Sequence, residues 1–137
     1  MIATIALFLM FGDITGIKGE PNLERRSDLA IDNADHAIDD ARAAYQAGDM
    51  AKTEAALKEV RESVDLALDS LDNSGKKPRS NSHYKKAEMR VNKMLRRLSG
   101  FRDEMSVDDR KPVDEVMARL QEVHDRLLAE IMSKNKR

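Results

Sequence analysis

Four runs of apolar residues, spaced three and four apart and divided by turn signals, restrict the folds open to this chain more than any other feature. The first run is Ile31, Ala34, Ile38, Ala41 and Tyr45, widened by Ala30, Ala37 and Ala44. The second is Met50, Thr53, Leu57, Val60, Val64, Ala67 and Leu71. The third runs through Tyr84, Ala87, Val91, Met94, Leu98, Phe101 and Met105 with Leu95 at its flank, and the fourth through Val113, Val116, Leu120, Val123, Leu127 and Ile131. Such spacing gathers each set on one stripe of an α-helix, and a stripe of that kind has to be buried against others like it. Short alternating Val/Ile runs are missing, so no strands are predicted. The expectation is an all-α fold: an antiparallel up-down-up-down four-helix bundle made of two long helical hairpins, with helices of about 24 to 27 residues.

The turn signals set the boundaries. Glu20-Pro21 reads as the start of the first helix, with Pro in the first helical position. Gly48 suits the left-handed residue after that helix, and Asp49 the cap of the next. A turn this short forces the first two helices to lie antiparallel. Gly100 lowers helix propensity by about 1 kcal/mol, but the apolar phase continues past it, so the third helix is predicted to run through. Ser106-Val-Asp-Asp109 resembles a capping box with Asp in place of Glu, which places the last helix from about Asp108 or Asp109, with Pro112 in its first turn. Residues 74–81, rich in Gly, Pro, Ser and Asn, are the connector between an acidic hairpin at 20–73 and a basic one at 82–137.

The stretch Ala44-Tyr45-Gln-Ala-Gly48-Asp49, followed by Leu57, resembles the turn of a tetratricopeptide repeat. Thr53 stands where that family has Ala, and no second copy follows at a period of about 34 residues, so the likeness implies common helix-turn-helix chemistry and no peptide-binding site. Between Leu23 and Met132 the chain is similar to small uncharacterised exported bacterial helical-bundle proteins, through segments such as ERRSDLAIDNADHAIDDARAAYQAGD and RRLSGFRDEMSVDDR. That resemblance implies a bundle and export, and brings no activity or binding residue with it.

Charge divides the chain. Residues 20–73 hold 14 Asp/Glu against 6 Lys/Arg, a net of −8, and residues 74–137 hold 10 against 17, a net of +7. Asp65, Asp69 and Asp72 crowd the end of the second helix, where the helix dipole disfavours acids, and Lys85 and Lys86 open the third, where it disfavours bases. If those two ends meet, each set offsets the other. Mutual neutralisation of the hairpins is the plainer reading of the asymmetry.

The sharper reading is an anion-binding surface. Between Lys76 and Arg102 there are ten bases and one acid, Glu88. The candidate residues are Lys76, Lys77, Arg79, Lys85, Lys86, Arg90, Lys93, Arg96 and Arg97, and Lys86, Arg90, Lys93 and Arg97 form a stripe at helical spacing. Such a stripe suits an anionic membrane surface, an envelope polymer or a nucleic-acid backbone. Base-stacking aromatics are lacking, because Tyr84 and Phe101 belong to the core stripe, which argues against sequence-specific nucleic-acid reading.

No catalytic, metal or cofactor site is predicted. There is no Cys, hence no disulfide, thiol chemistry or thiolate ligand. Asp32, His36, Asp39 and Asp40 are a loose chelate pattern of the kind acid-rich helices produce by chance. His124 flanks the Leu120/Leu127 stripe and reads as a partly buried, satisfied histidine.

Met1 to Phe11 is uncharged and apolar, about 17 Å as a helix and shorter than the roughly 30 Å hydrocarbon core. It matches the apolar region of a signal peptide, although no Lys or Arg precedes it and no Ala-x-Ala site follows. Residues 1–19 are therefore expected to be a signal peptide or N-terminal apolar anchor, with cleavage after Gly16 or Gly19, against the alternative of a first core helix. Together these features lead to an exported, non-enzymatic structural or protein-interaction module of the cell envelope or exterior, acting on an unknown protein partner or on itself. The alternative is polyanion or membrane-surface binding through the basic third helix.

Overall fold

The computed structural model describes residues 14–133, except for the side chain of Arg79; the apolar run from Met1 and the C-terminal Lys134, Lys136 and Arg137 lie outside the described residues. The described residues are all-helical, with no strand: α1 (Ile14–Lys18), α2 (Leu23–Gln46), α3 (Met50–Asn73), α4 (Ser82–Glu104) and α5 (Lys111–Met132), with 3-10 turns at Pro78–Ser80 and Val107–Asp109.

Local chemistry sets the ends. The Asn22 side chain accepts from the Arg25 backbone N–H at 2.9 Å, so α2 starts after Pro21 and not on it. Gly48 has φ +79°, a conformation in which a Cβ is strained, and Asp49 caps α3 by accepting from the Lys52 N–H at 3.0 Å. Asn81 caps α4, accepting from the N–H groups of His83 (2.7 Å) and Tyr84 (3.3 Å). Helix α4 runs unbroken through Gly100. The capping box at Ser106 does not form: Ser106 makes no side-chain cap bond, and the Asp109 carboxylate accepts instead from the Tyr45 hydroxyl at 2.9 Å. That hydroxyl in turn accepts from the Ser106 N–H at 2.9 Å, which ties the α4–α5 turn to the end of α2 and delays the last helix to Lys111.

The four apolar stripes turn inward and are buried except near their ends, where Ala44, Tyr45, Met50 and Ile131 are half-buried. The two hairpins fill their seams differently. Ala30, Ala34, Ala37 and Ala41 of α2 meet Ala56, Ser63, Ala67 and Ser70 of α3, all at or below 3% exposure, and such small side chains let the two backbones pack closely. The α4–α5 seam is built from larger groups, Tyr84, Met94, Leu98, Phe101, Leu120 and Leu127, and is the looser of the two. Asn33, buried within the tight seam, donates to the Ser63 hydroxyl (2.8 Å) and to Glu59 (2.7 Å), so its amide is not left unpaired.

Helix α2 lies beside α3 and α4, and α5 lies beside the same two, while α3 and α4 barely touch. The hairpins are antiparallel, as Asn33–Ser63 and Arg26–Ser70 show for the first and Glu88–His124 and Arg102–Asp114 for the second. Across the hairpins the helices run in the same direction: Glu24 meets Asn81 at one end of the α2–α4 pair and Arg42 meets Glu104 at the other. The same holds for α3 and α5, where Asp65 pairs with Arg119 and Asp72 with Arg126. The expected meeting of Asp65, Asp69 and Asp72 with Lys85 and Lys86 is therefore not found. The connector crosses the diagonal of the bundle, so Asp65 and Asp72 find their bases on α5, and Lys86 finds its acid on α2.

Helix α1 falls within the segment expected to be a leader. It packs on α2 and α3 through Ile17, and its Lys18 carbonyl accepts from the Arg26 guanidinium at 3.1 Å. No described helix is long and apolar enough to cross a membrane.

Candidate functional site

The basic stripe divides into two faces of α4. On the face turned to α2 the bases meet a row of acids. Lys86 lies 3.7 Å from Asp28, and Arg90 donates to Asp32 and to Asp35, each at 2.6 Å. Arg97 holds Asp35 at 3.0 Å and also Asp39. His83 extends the row, with Nδ1 3.1 Å from Asp28 and Nε2 4.0 Å from Glu24. The last rung is reversed: Arg42 of α2 donates to Glu104 of α4 at 2.8 Å, with its guanidinium 5.9 Å from the Phe101 ring centre. Asp35 serves two guanidinium groups; burial lowers the Arg90 pKa, but the hydrogen bonds that Arg90 donates to Asp35 and Asp32, with their charges, raise it on balance. The rungs are half-buried, so each is worth more than a fully exposed pair but remains open to salt.

The other candidates stand apart from this ladder. Lys85, Lys93 and Arg96 are exposed on the outer side of α4, and Lys76 and Lys77 are exposed in the connector; none of the five makes an ion pair among the described residues. Arg79 belongs to the Pro78–Ser80 turn, and its side chain lies outside the described residues. Of the nine bases singled out in the sequence, then, Lys86, Arg90 and Arg97 hold the hairpins together, and five face outward.

Several charged residues escaped the sequence reading. Arg119 and Arg126, seven residues apart, hold Asp65 (2.8 Å) and Asp72 (2.5 Å), which are also seven apart. That matching interval was the available signal, since residues a heptad apart share a helix face. Glu88 turns inward and meets His124 Nε2 at 2.7 Å, with side chains only 19% and 13% exposed. His124 is thus partly buried, as expected, but only half satisfied: Nε2 meets Glu88, while the buried Nδ1 makes no hydrogen bond among the described residues. At one end of the bundle the buried Tyr84 hydroxyl donates to the Leu71 carbonyl at 3.0 Å and lies 3.4 Å from Asp72. Burial, then the charges of Asp72 and Glu130, push the Tyr84 pKa up to about 12. Burial also raises the Asp72 pKa, against the opposing pull of Arg126.

Asp32 and Asp39 of the loose chelate pattern are taken up by Arg90 and Arg97, and no group of three or more His, Asp or Glu among the described residues is placed to hold a metal ion. An open groove between α1, α3 and α5 is lined by Leu66, Asp69 and the Asp65–Arg119 and Asp72–Arg126 pairs. Its chemistry is that of a self-compensated surface. Comparison of the chain with family models, with curated proteins and with solved structures finds no match.

Proposed function

We propose that the chain is a non-enzymatic structural or protein-interaction module of the cell envelope or exterior, built on an up-down-up-down four-helix bundle. The observation that carries this reading is the α2–α4 ladder: Lys86, Arg90 and Arg97 meet the acids of α2 and bind one hairpin to the other. Side chains that could have formed a polar reaction centre are engaged in holding the scaffold. The bundle then presents long helical faces to a protein partner or to a second copy of itself. Export is part of the same proposal and rests on the apolar run at Met1–Phe11.

Sedimentation of the full-length protein over about a hundredfold range of concentration tests self-association. In-cell cross-linking, paired with cell fractionation, tests for a fixed partner in the envelope or medium. A stoichiometric complex supports the proposal. A strictly monomeric protein that stays in the cytoplasm and yields no cross-linked partner would sink it.

A second reading, polyanion or membrane-surface binding through α4, is favoured by one observation. Lys76, Lys77, Lys85, Lys93 and Arg96 remain exposed and without acids after the ladder has formed.

A further inference from the structure

We infer that the outer face of α4, together with the adjoining end of α5, docks on a bilayer surface carrying anionic phosphate headgroups. The inference rests on the second reading above and names both the residues and the occupant. Lys85, Met89, Lys93 and Arg96 follow one another at steps of four, four and three, which keeps them on one face of the helix, and all are exposed. Met89 is 67% exposed in the middle of this row. The acid nearest in sequence, Glu88, is turned away to His124. Asp28, Asp32, Asp35 and Asp39 of α2 are occupied by Lys86, Arg90 and Arg97. Asp103, two turns beyond Arg96, is the exposed acid at the far end of the row, and Lys85, Lys93 and Arg96 make no ion pair among the described residues.

Helix α5 adds apolar groups at the same end. The Glu88–His124 contact fixes the antiparallel register of the pair, with Lys85 one turn before Glu88 and Leu128 one turn after His124. Both steps lead toward the same pole. Leu128 is 40% exposed and Met132 66%. The Pro78–Ser80 turn packs against α5, which brings Lys76 and Lys77 to this pole as well. Asp125 is the acid on its α5 side, bonded by Gln121 at 2.9 Å and 3.6 Å from His124 Nδ1.

The result is a face with exposed apolar side chains at its centre and end and bases around them. A lipid surface answers both parts: phosphates attract the bases, and flexible Met and Leu side chains enter the headgroup–acyl boundary. Duplex nucleic acid answers only the charge. Its backbone offers nothing to Met89, Leu128 or Met132, and the face has no aromatic to stack on a base.

The test is partition of the full-length protein onto phosphatidylcholine vesicles with and without about one-third phosphatidylglycerol, at about 50 and 200 mM salt, beside duplex DNA at equal phosphate. Binding is expected on the anionic vesicles only, and stronger at low salt. Each base contributes about fivefold, so Lys85→Gln/Lys93→Gln/Arg96→Gln should weaken partition about a hundredfold. Met89→Gln/Leu128→Gln should weaken it about tenfold while leaving the salt dependence intact. Arg61→Gln/Lys111→Gln removes two exposed bases elsewhere and should change it less than about twofold. All these side chains are on the surface, and circular dichroism checks that each variant keeps its helix content. Absence of binding at low salt, or a triple variant that binds like the wild type, overturns the inference. So does DNA binding as tight as vesicle binding with no effect of the Met/Leu change, which would mark a bare phosphate patch. Self-association and cross-linking of the triple variant, measured beside these, report on the interaction-module reading separately.

Discussion

Removing a single hydroxyl, with Tyr84→Phe, should cost stability at neutral pH and cost nothing in alkali. The Tyr84 ring is 2% exposed, and its hydroxyl donates to the Leu71 carbonyl at 3.0 Å, joining the last turn of α3 to the first turn of α4. The Leu71 carbonyl still accepts from the Ser74 N–H (3.1 Å) and hydroxyl (2.6 Å), so the loss is the net worth of one hydrogen bond, about 1 kcal/mol. The phenol also titrates. In the unfolded chain its pKa is about 10; in the fold it is pushed up to about 12, first by burial and then by Asp72 and Glu130. A folded pKa above the unfolded one means a contribution that is whole below about pH 10 and is lost as pH rises toward 12. At about pH 11 the wild type has lost about 1.4 kcal/mol that the Phe variant, with no proton to lose, retains. The deficit of about 1 kcal/mol at pH 8 should therefore vanish or slightly reverse by about pH 11. Urea unfolding of both proteins, followed by far-ultraviolet circular dichroism across that range, measures the difference. Titrations elsewhere in the chain are common to both proteins and cancel. A gap that stays constant from pH 8 to 11, about the span over which the free phenol ionises, would refute the reasoning.

Other perturbations probe other parts of the fold. Asp35→Asn removes the carboxylate that Arg90 and Arg97 share, at 2.6 and 3.0 Å, and should cost about 1–2 kcal/mol in urea melts at low salt and clearly less near 1 M; no cost at low salt would mean that the ladder adds nothing to stability. Ala34→Leu forces a larger group into the close α2–α3 seam, where Ala34 is 0% exposed, at a cost of about 3 kcal/mol, whereas Ala118→Leu on the outside of α5 should be near neutral; equal effects would contradict the tight packing. Because burial raises the Asp72 pKa, folding favours its protonated form, and that preference works against the fold once pH rises through the folded pKa. Asp72→Asn should accordingly gain stability at neutral pH, with Arg126 keeping Glu130 at 3.2 Å, and the gain should fade below about pH 4; a loss at neutral pH would show that the pairing with Arg126 outweighs burial.

Much of the helix layout could be read from residues, because periodicity and capping act within one or two turns. The stripe residues from Ile31 to Leu127 are buried except for the half-buried Ala44, Tyr45 and Met50, Gly48 takes a positive φ, and Asp49 caps α3. What the residues did not disclose depends on contacts across the bundle. Whether Asp65 and Asp72 meet Lys85 or Arg119 is decided by which helices are neighbours, and four helices joined by an eight-residue connector can be ordered in more than one way. The same is true of Asp109: local sequence offers it to Ser106 as a cap, but Tyr45, distant in the chain, takes it. The candidate site was legible as a stripe of bases but not as two faces. Separating them required knowing that α2, and not α3, lies along α4.

The reversed rung at Arg42–Glu104 works like the odd tooth of a key. In the observed register Asp35 straddles Arg90 and Arg97, and Arg42 meets an acid. If α2 slid by one heptad toward the start of α4, Arg42 would come level with Arg97, cation against cation, and Glu104 would lose its partner. Apolar stripes that repeat every seven residues tolerate such a slip with little loss of burial, since one layer of Ala and Leu resembles the next. Charge breaks that degeneracy. The parallel helices of this bundle are thus held in one alignment by a change of sign near one end.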